Sequence, residues 1–209
     1  MVSLYNASIP MMIKYLGNLK LILTKAEKHC VDKGLDPQEM IKFRLIADMR
    51  GSVISLSTCL PTCPPTSPQS PPLTNITPTH SLDYQVQSCS NTAKFMATRL
   101  GKQEDVFFAD DETTFPQLQS RVDRTVDILR AIPPESFEGK EDAEVILESK
   151  MGNFKFTGYT YAIQYACPNF HFHLGSAYCI LRHLGVPLGA FDYLDSQKDL
   201  FIKVDKASS

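Results

Sequence analysis

Apolar side chains at Ile9, Met12, Ile13, Leu16, Leu19, Leu23 and Ala26 return every three or four positions, the spacing of one helix face. Gly34 follows where a left-handed C-cap is needed. Asp36-Pro37-Gln38-Glu39 then combines an N-cap acid, a proline at the first helical position and a glutamate in the first turn. This predicts a short second helix running to about Asp48. Helical spacing resumes at Asp83, with Val86, Cys89, Ala93, Met96 and Leu100 on one side and Gly101 closing the helix. Thr114-Phe115-Pro116-Gln117 has the form of a capping box, and Leu118, Val122, Thr125 and Leu129 carry the next helix to Pro133-Pro134. Residues 144–158, EVILESKMGNFKFTG, alternate apolar and polar on both sides of Gly152-Asn153, which predicts a small β-hairpin pivoting there. A last long helix is expected from Tyr159 to Leu184, bent at Pro168 and ended by Gly185 and Pro187. Four long amphipathic stripes must bury one another, so the pattern predicts an all-α four-helix bundle with a hairpin before the last helix.

The pattern fails in one place. From Gly51 to Leu82 there is no Asp, Glu, Lys or Arg, and seven prolines fall between Pro61 and Pro78. Neither helical nor strand periodicity is present, so the segment is expected to be a disordered excursion.

At 209 residues the chain suits one well-buried core, and 43% apolar with 21% charged residues is an ordinary globular balance. A net charge of −2 with scattered Lys and Arg lacks the basic stripe that a nucleic acid partner requires. No signal-peptide pattern opens the sequence and no segment has the length of a membrane span. The expected compartment is the cytoplasm, where the six cysteines stay as thiols; Cys59 and Cys63 have no second pair to make a zinc site. Asn75-Ile76-Thr77 has the form of a glycosylation acceptor, which a chain without a secretory signal does not use.

Three of the five histidines lie in FHFHLGSAYCILRH, residues 170–183. At about 100° and 1.5 Å per residue, Ala162, Ala166, Phe170, Leu174, Ala177, Ile180, Leu181 and Leu184 form a core face. His173 falls at the edge of that arc beside Asn169. His171 lies about 160° away on the polar side with Gln164 and Arg182, where solvent is expected. His183 is about 15 Å along the axis from His173, too far to share a metal with ligand bonds near 2 Å. In a strand, by contrast, His171 and His173 would share a face as a ligand pair. The helix pattern instead makes His173 a core-edge histidine, or a single metal or substrate ligand completed by Gln87 and Asp83 of the second long helix, with Asp48 as a further candidate. Tyr178 and Arg182 are expected to pair at four-residue spacing, packed on the surface or clamping a substrate anion. Asp110, Asp111 and Glu112 precede a helix whose dipole favours acids, and Cys89, Cys167 and Cys179 fit core positions better than nucleophile positions.

SLYNASIP, ADM, LDYQVQ, FADDETTF, PPESFEG, FTG and, most specifically, PNFHFHLGSAYCILRHLGVPLGAFDYL resemble an uncharacterised domain-of-unknown-function family of fungi and bacteria. That family is grouped with the DinB/YfiT-like four-helix bundles. The resemblance covers the chain except residues 50–81 and the tail after Asp195. It implies an up-down-down-up bundle and, in many members, three histidines on a divalent metal such as zinc, nickel or iron, with thiol-dependent transfer in some. His173 matches one ligand of that set, but Ala177 stands four positions on and Gln87 stands where the second helix would supply a histidine. In the family ADM and LDYQVQ are nearly adjacent. Residues 50–81 therefore read as an insertion into a single domain spanning 1–195, of the kind an in-frame retained intron would leave, with 196–209 as a tail.

Three functions follow from these residues. One is a bundle that binds a small molecule between the second and last long helices, at Gln87, Asn169, His173 and Tyr178, with a degenerate metal site. Another is a divalent-metal-dependent transferase or hydrolase with His173 as ligand. The third is a structural homodimer.

Overall fold

The computed structural model describes residues 3–45, 81–149 and 152–202. Ser3 accepts the Asn6 N–H and starts α1 (Leu4–Lys33), earlier than the apolar spacing alone indicates. Gly34 ends it with φ at 65°, a conformation that crowds any Cβ. Asp36 takes the Gln38 N–H at 2.8 Å to cap α2 (Pro37–Lys42).

This helix stops well short of Asp48. Phe43 is extended, and its carbonyl accepts the Leu82 N–H at 3.2 Å instead of continuing the helical ladder. A contact thirty-nine residues away along the chain, from Leu82 to Phe43, thus meets the boundary that local spacing misses. The same bond ties the end of α2 to the start of α3 (Leu82–Arg99). Asp48 and nearly all of the expected insertion, 50–81, lie outside the described residues.

Thr114 and Gln117 form the expected capping box on α4 (Phe115–Arg130), and a 3₁₀ turn at Pro134–Phe137 leads to the hairpin. Strands β1 (Glu144–Ser149) and β2 (Gly152–Thr157) pair antiparallel with Ser149 opposite Gly152 and Glu148 opposite Asn153. Gly152 and Asn153 are therefore strand residues and not the pivot of the hairpin. Gly152 opens β2 at φ 126°, which only glycine adopts without strain.

The last long helix begins with a π-helical stretch, Thr160–Ala166, and continues as α5 (Cys167–His183). Cys167 bonds the Ala162 carbonyl five residues back, which widens the coil just before Pro168, a residue with no N–H to give. A short α6 (Ala190–Leu194) follows.

The four long helices close a ring: α1 packs on α4, α4 on α3, α3 on α5, and α5 on α1. Leu16, Leu19, Val86, Cys89, Leu118, Val122, Phe170 and Leu174 fill its centre, each large apolar side chain contributing about 1.5–3 kcal/mol. α2 also packs on α3, and α3 buries polar as well as apolar residues, among them Asp83, Gln85, Gln87, Ser90 and Lys94. No described helix is long and apolar enough to cross a membrane.

Candidate functional site

The buried polar side chains of α3 need partners, and α4 supplies the strongest. Arg121 has a fully buried side chain and sits three residues after Leu118 and four before Thr125, on the stripe that faces α3. Its guanidinium donates to Glu112 Oε1 at 2.8 Å, Asn91 Oδ1 at 2.7 Å and Ser90 Oγ at 3.1 Å, and pairs with Asp110 Oδ1 at 2.6 Å. Ser90 and Thr125 share a hydroxyl bond at 2.6 Å, so the layer is closed on itself. A buried charge survives only with this degree of satisfaction.

Arg121 thereby holds the segment joining α3 to α4. Phe108 lies under the Arg121 and Arg124 guanidiniums, at 4.6 and 4.4 Å from its ring centre, and Lys94 bonds the Val106 carbonyl and Asp105. Within the run Asp110-Asp111-Glu112, the first and last carboxylates thus grip Arg121 more than they complement the helix dipole. Burial opposes the Glu112 charge, but hydrogen bonds from Arg121 and Gln87 outweigh it and hold the carboxyl below its ordinary range.

Above this layer a cleft of about 460 Å³ opens between the end of α2, the start of α3 and residues 110–113. Gln87 forms part of its wall at 8% exposure, its Nε2 donating to Glu112 Oε2 at 3.0 Å. Asp83, one turn earlier on α3, lines the same cleft with its carboxylate engaged by Lys42, Ser81 and the Tyr84 N–H. Gln38 bonds the Thr113 carbonyl at 2.7 Å and ties α2 to the opposite rim.

The other expected site residues lie elsewhere. His173 is buried between α3 and α5, where its Nδ1 donates to Gln85 Oε1 at 2.8 Å and its ring meets the edge of Tyr84, a cleft residue. Asn169 donates to Thr92 Oγ1 at 2.8 Å, farther along α3. Tyr178 packs edge-on against Tyr193, while Arg182 donates to the Leu188 carbonyl. The cleft therefore contains Gln87 but none of Asn169, His173 and Tyr178.

His171 is half-buried, not solvent-facing. Its ring nitrogens meet Tyr193 Oη at 3.1 Å and Met11 Sδ at 3.2 Å, with Tyr15 edge-on at 4.7 Å. The helix wheel does place it off the bundle core. However, α6 folds back along α1 and covers that side. Burial pushes the His171 pKa down and the Tyr193 hydroxyl up to about 12. His183, at the far end of α5, stacks on Phe43. Cys30, Cys89, Cys167 and Cys179 are free thiols; burial raises Cys89 well above its ordinary pKa and Cys167 to about 11. Cys179 is exposed, contrary to its expected core position.

With this geometry in view, the chain matches the family described as a domain of unknown function, DUF1993, over residues 4–55 and 76–194. It belongs to that family. Residues 56–75, inside the expected insertion, fall between the two matched stretches of the DUF1993 domain. The chain is also similar to the crystal structure of a DinB family member from Shewanella denitrificans, at 28% identity and a TM-score of 0.71, covering 98% of this chain and 96% of that one. No curated protein matches the chain.

No donor set among the described residues fits the divalent metal that the family resemblance implies. Among the described residues no three His, Cys, Asp or Glu side chains come together as a cage. His173 Nδ1 is committed to a neutral amide, and Ala177 offers no donor one turn on.

Proposed function

We propose that this protein binds a small polar molecule in the cleft over the Arg121 layer, and that the His173–Gln85 hydrogen bond stands where the family resemblance implies a metal ligand. One observation carries this reading. Ionised Glu112 can only accept, so Gln87 must turn its Nε2 inward, which leaves Oε1 as the remaining acceptor of a side chain that lines the cleft. Among the described residues the one buried side-chain acceptor without a partner is Asn18 Oδ1. Gln87 Oε1 accepts no described bond either, so it is open to the cleft. An acceptor held rigidly on a cleft wall by a buried network suits recognition. A divalent-metal-dependent transferase or hydrolase would need a donor set that these residues lack, and no step is assigned to a metal.

Side-chain and backbone NMR of the full chain during a screen of small polar compounds tests the proposal. Shifts centred on Tyr84, Gln87 and residues 110–113, abolished in Gln87→Leu, are expected. Binding confined to the groove of about 400 Å³ between α1 and α4, or unaltered in Gln87→Leu, would overturn it.

A further inference from the structure

We infer that the cleft takes a zwitterion, a small molecule bearing a protonated amine and a carboxylate, as free amino acids and short peptides do. This rests on the cleft being the binding site and adds the chemistry of its occupant. Most charges around the cleft are already spent: Lys42 on Asp83, and Asp110 and Glu112 on Arg121. Asp111 and Arg44 also line it, and among the described residues no ion pair uses either. They come from different walls, Arg44 just beyond α2 and Asp111 from the segment before α4.

Two opposite charges that share a cleft without neutralising each other favour a ligand that brings both counter-charges. A simple cation leaves Arg44 unmatched, and a simple anion leaves Asp111 unmatched. Gln87 Oε1 adds an acceptor on the same wall system, nine-tenths buried and fixed by the Glu112–Arg121 chain. An ammonium group has three donors and no acceptor, so Asp111 and Gln87 Oε1 suit the amine end. Arg44, a planar fork of donors, suits the carboxylate. A volume of about 460 Å³ holds a molecule well beyond a single ion.

Calorimetry and NMR on the full chain with alanine, alanyl-alanine, N-acetyl-alanyl-alanine and alanyl-alanine amide provide the test. One-to-one binding of alanine or the free dipeptide is expected, weakened about tenfold or more by blocking either end. Asp111→Asn should weaken the free dipeptide but leave the acetylated form unchanged; Arg44→Gln should do the same with respect to the amide. Both side chains are solvent-accessible, and unchanged circular dichroism will confirm that the variants fold. Preference for alanine over the dipeptide assigns a free amino acid, and the reverse assigns a peptide. Indifference to blocking, or to both substitutions, overturns the zwitterion. If succinate or putrescine then shifts Tyr84 and Gln87, the cleft survives as a site and the zwitterion alone falls. If none of these compounds shifts them, both fall.

Discussion

Arg121 and His173 are both buried, polar and aimed at α3, yet the molecule treats them differently. Arg121 is locked by two carboxylates, an amide and a hydroxyl, and through Glu112 it orients Gln87 on the cleft wall. His173 sits in the α3–α5 seam opposite a neutral glutamine, at the position where the family resemblance implies a metal ligand. The dense charged network lies under the cleft between α3 and α4, not in the seam where a metal would be expected. The proposed site thus follows the fold's concentration of satisfied buried charge and not its histidines.

The contrast breaks most readily at Arg121. Arg121→Met strips Asp110 and Glu112 of their buried counter-charge and should cost about 3–5 kcal/mol in urea denaturation. Adding Glu112→Gln to that variant should recover part of the loss, because the orphaned carboxylate is gone; further destabilisation would show that the layer is not coupled as described.

His173→Ala should be milder, about 1–3 kcal/mol from the unmatched Gln85 and lost packing, with metal content unchanged by mass spectrometry of untagged protein. Stoichiometric metal lost on substitution would restore the metalloenzyme reading. Ser90→Ala removes one acceptor from the Arg121 Nε and one hydroxyl partner from Thr125, and about 1 kcal/mol is expected.

The smallest effect separates the two ends by pH. His171 has a lowered folded pKa, so the unfolded chain binds the extra proton first. Its contribution is complete above pH 6.5 and declines as pH falls below that value. Glu112, also lowered, contributes fully above pH 4.5 and loses its share as pH falls through its folded pKa. Stability measured against pH should therefore fall in two stages, and His171→Phe should shrink the first stage while leaving the second unchanged. Since His171 is only half-buried, solvent screening keeps that stage shallow. A single transition below pH 4.5 in the unmodified protein would contradict the covered state of His171.

Much of the bundle was legible because its signals are local. The Asp36 and Thr114 caps, the Gly34 terminator and the stripes through Leu16, Val86, Leu118 and Phe170 each need only neighbouring residues. The site was less legible. Arg121 left one usable signal, a charge on an otherwise apolar stripe between Leu118, Val122 and Thr125. Nothing in the spacing of Gln87 indicated Glu112 as its partner, and the wheel that placed His171 off the core could not know that α6 would return to cover it.

By itself, then, the sequence determined which long segments wind into helices, where most of them start and stop, and which faces seek a core. These follow from backbone periodicity and caps that act over four residues or fewer. Tertiary structure decided that α2 ends at Lys42, that Arg121 joins Ser90, Asn91 and Glu112, and that His173 meets Gln85. Those outcomes depend on which groups packing brings within about 3 Å of one another, and hydrogen bonds at that range carry no periodic trace along the chain.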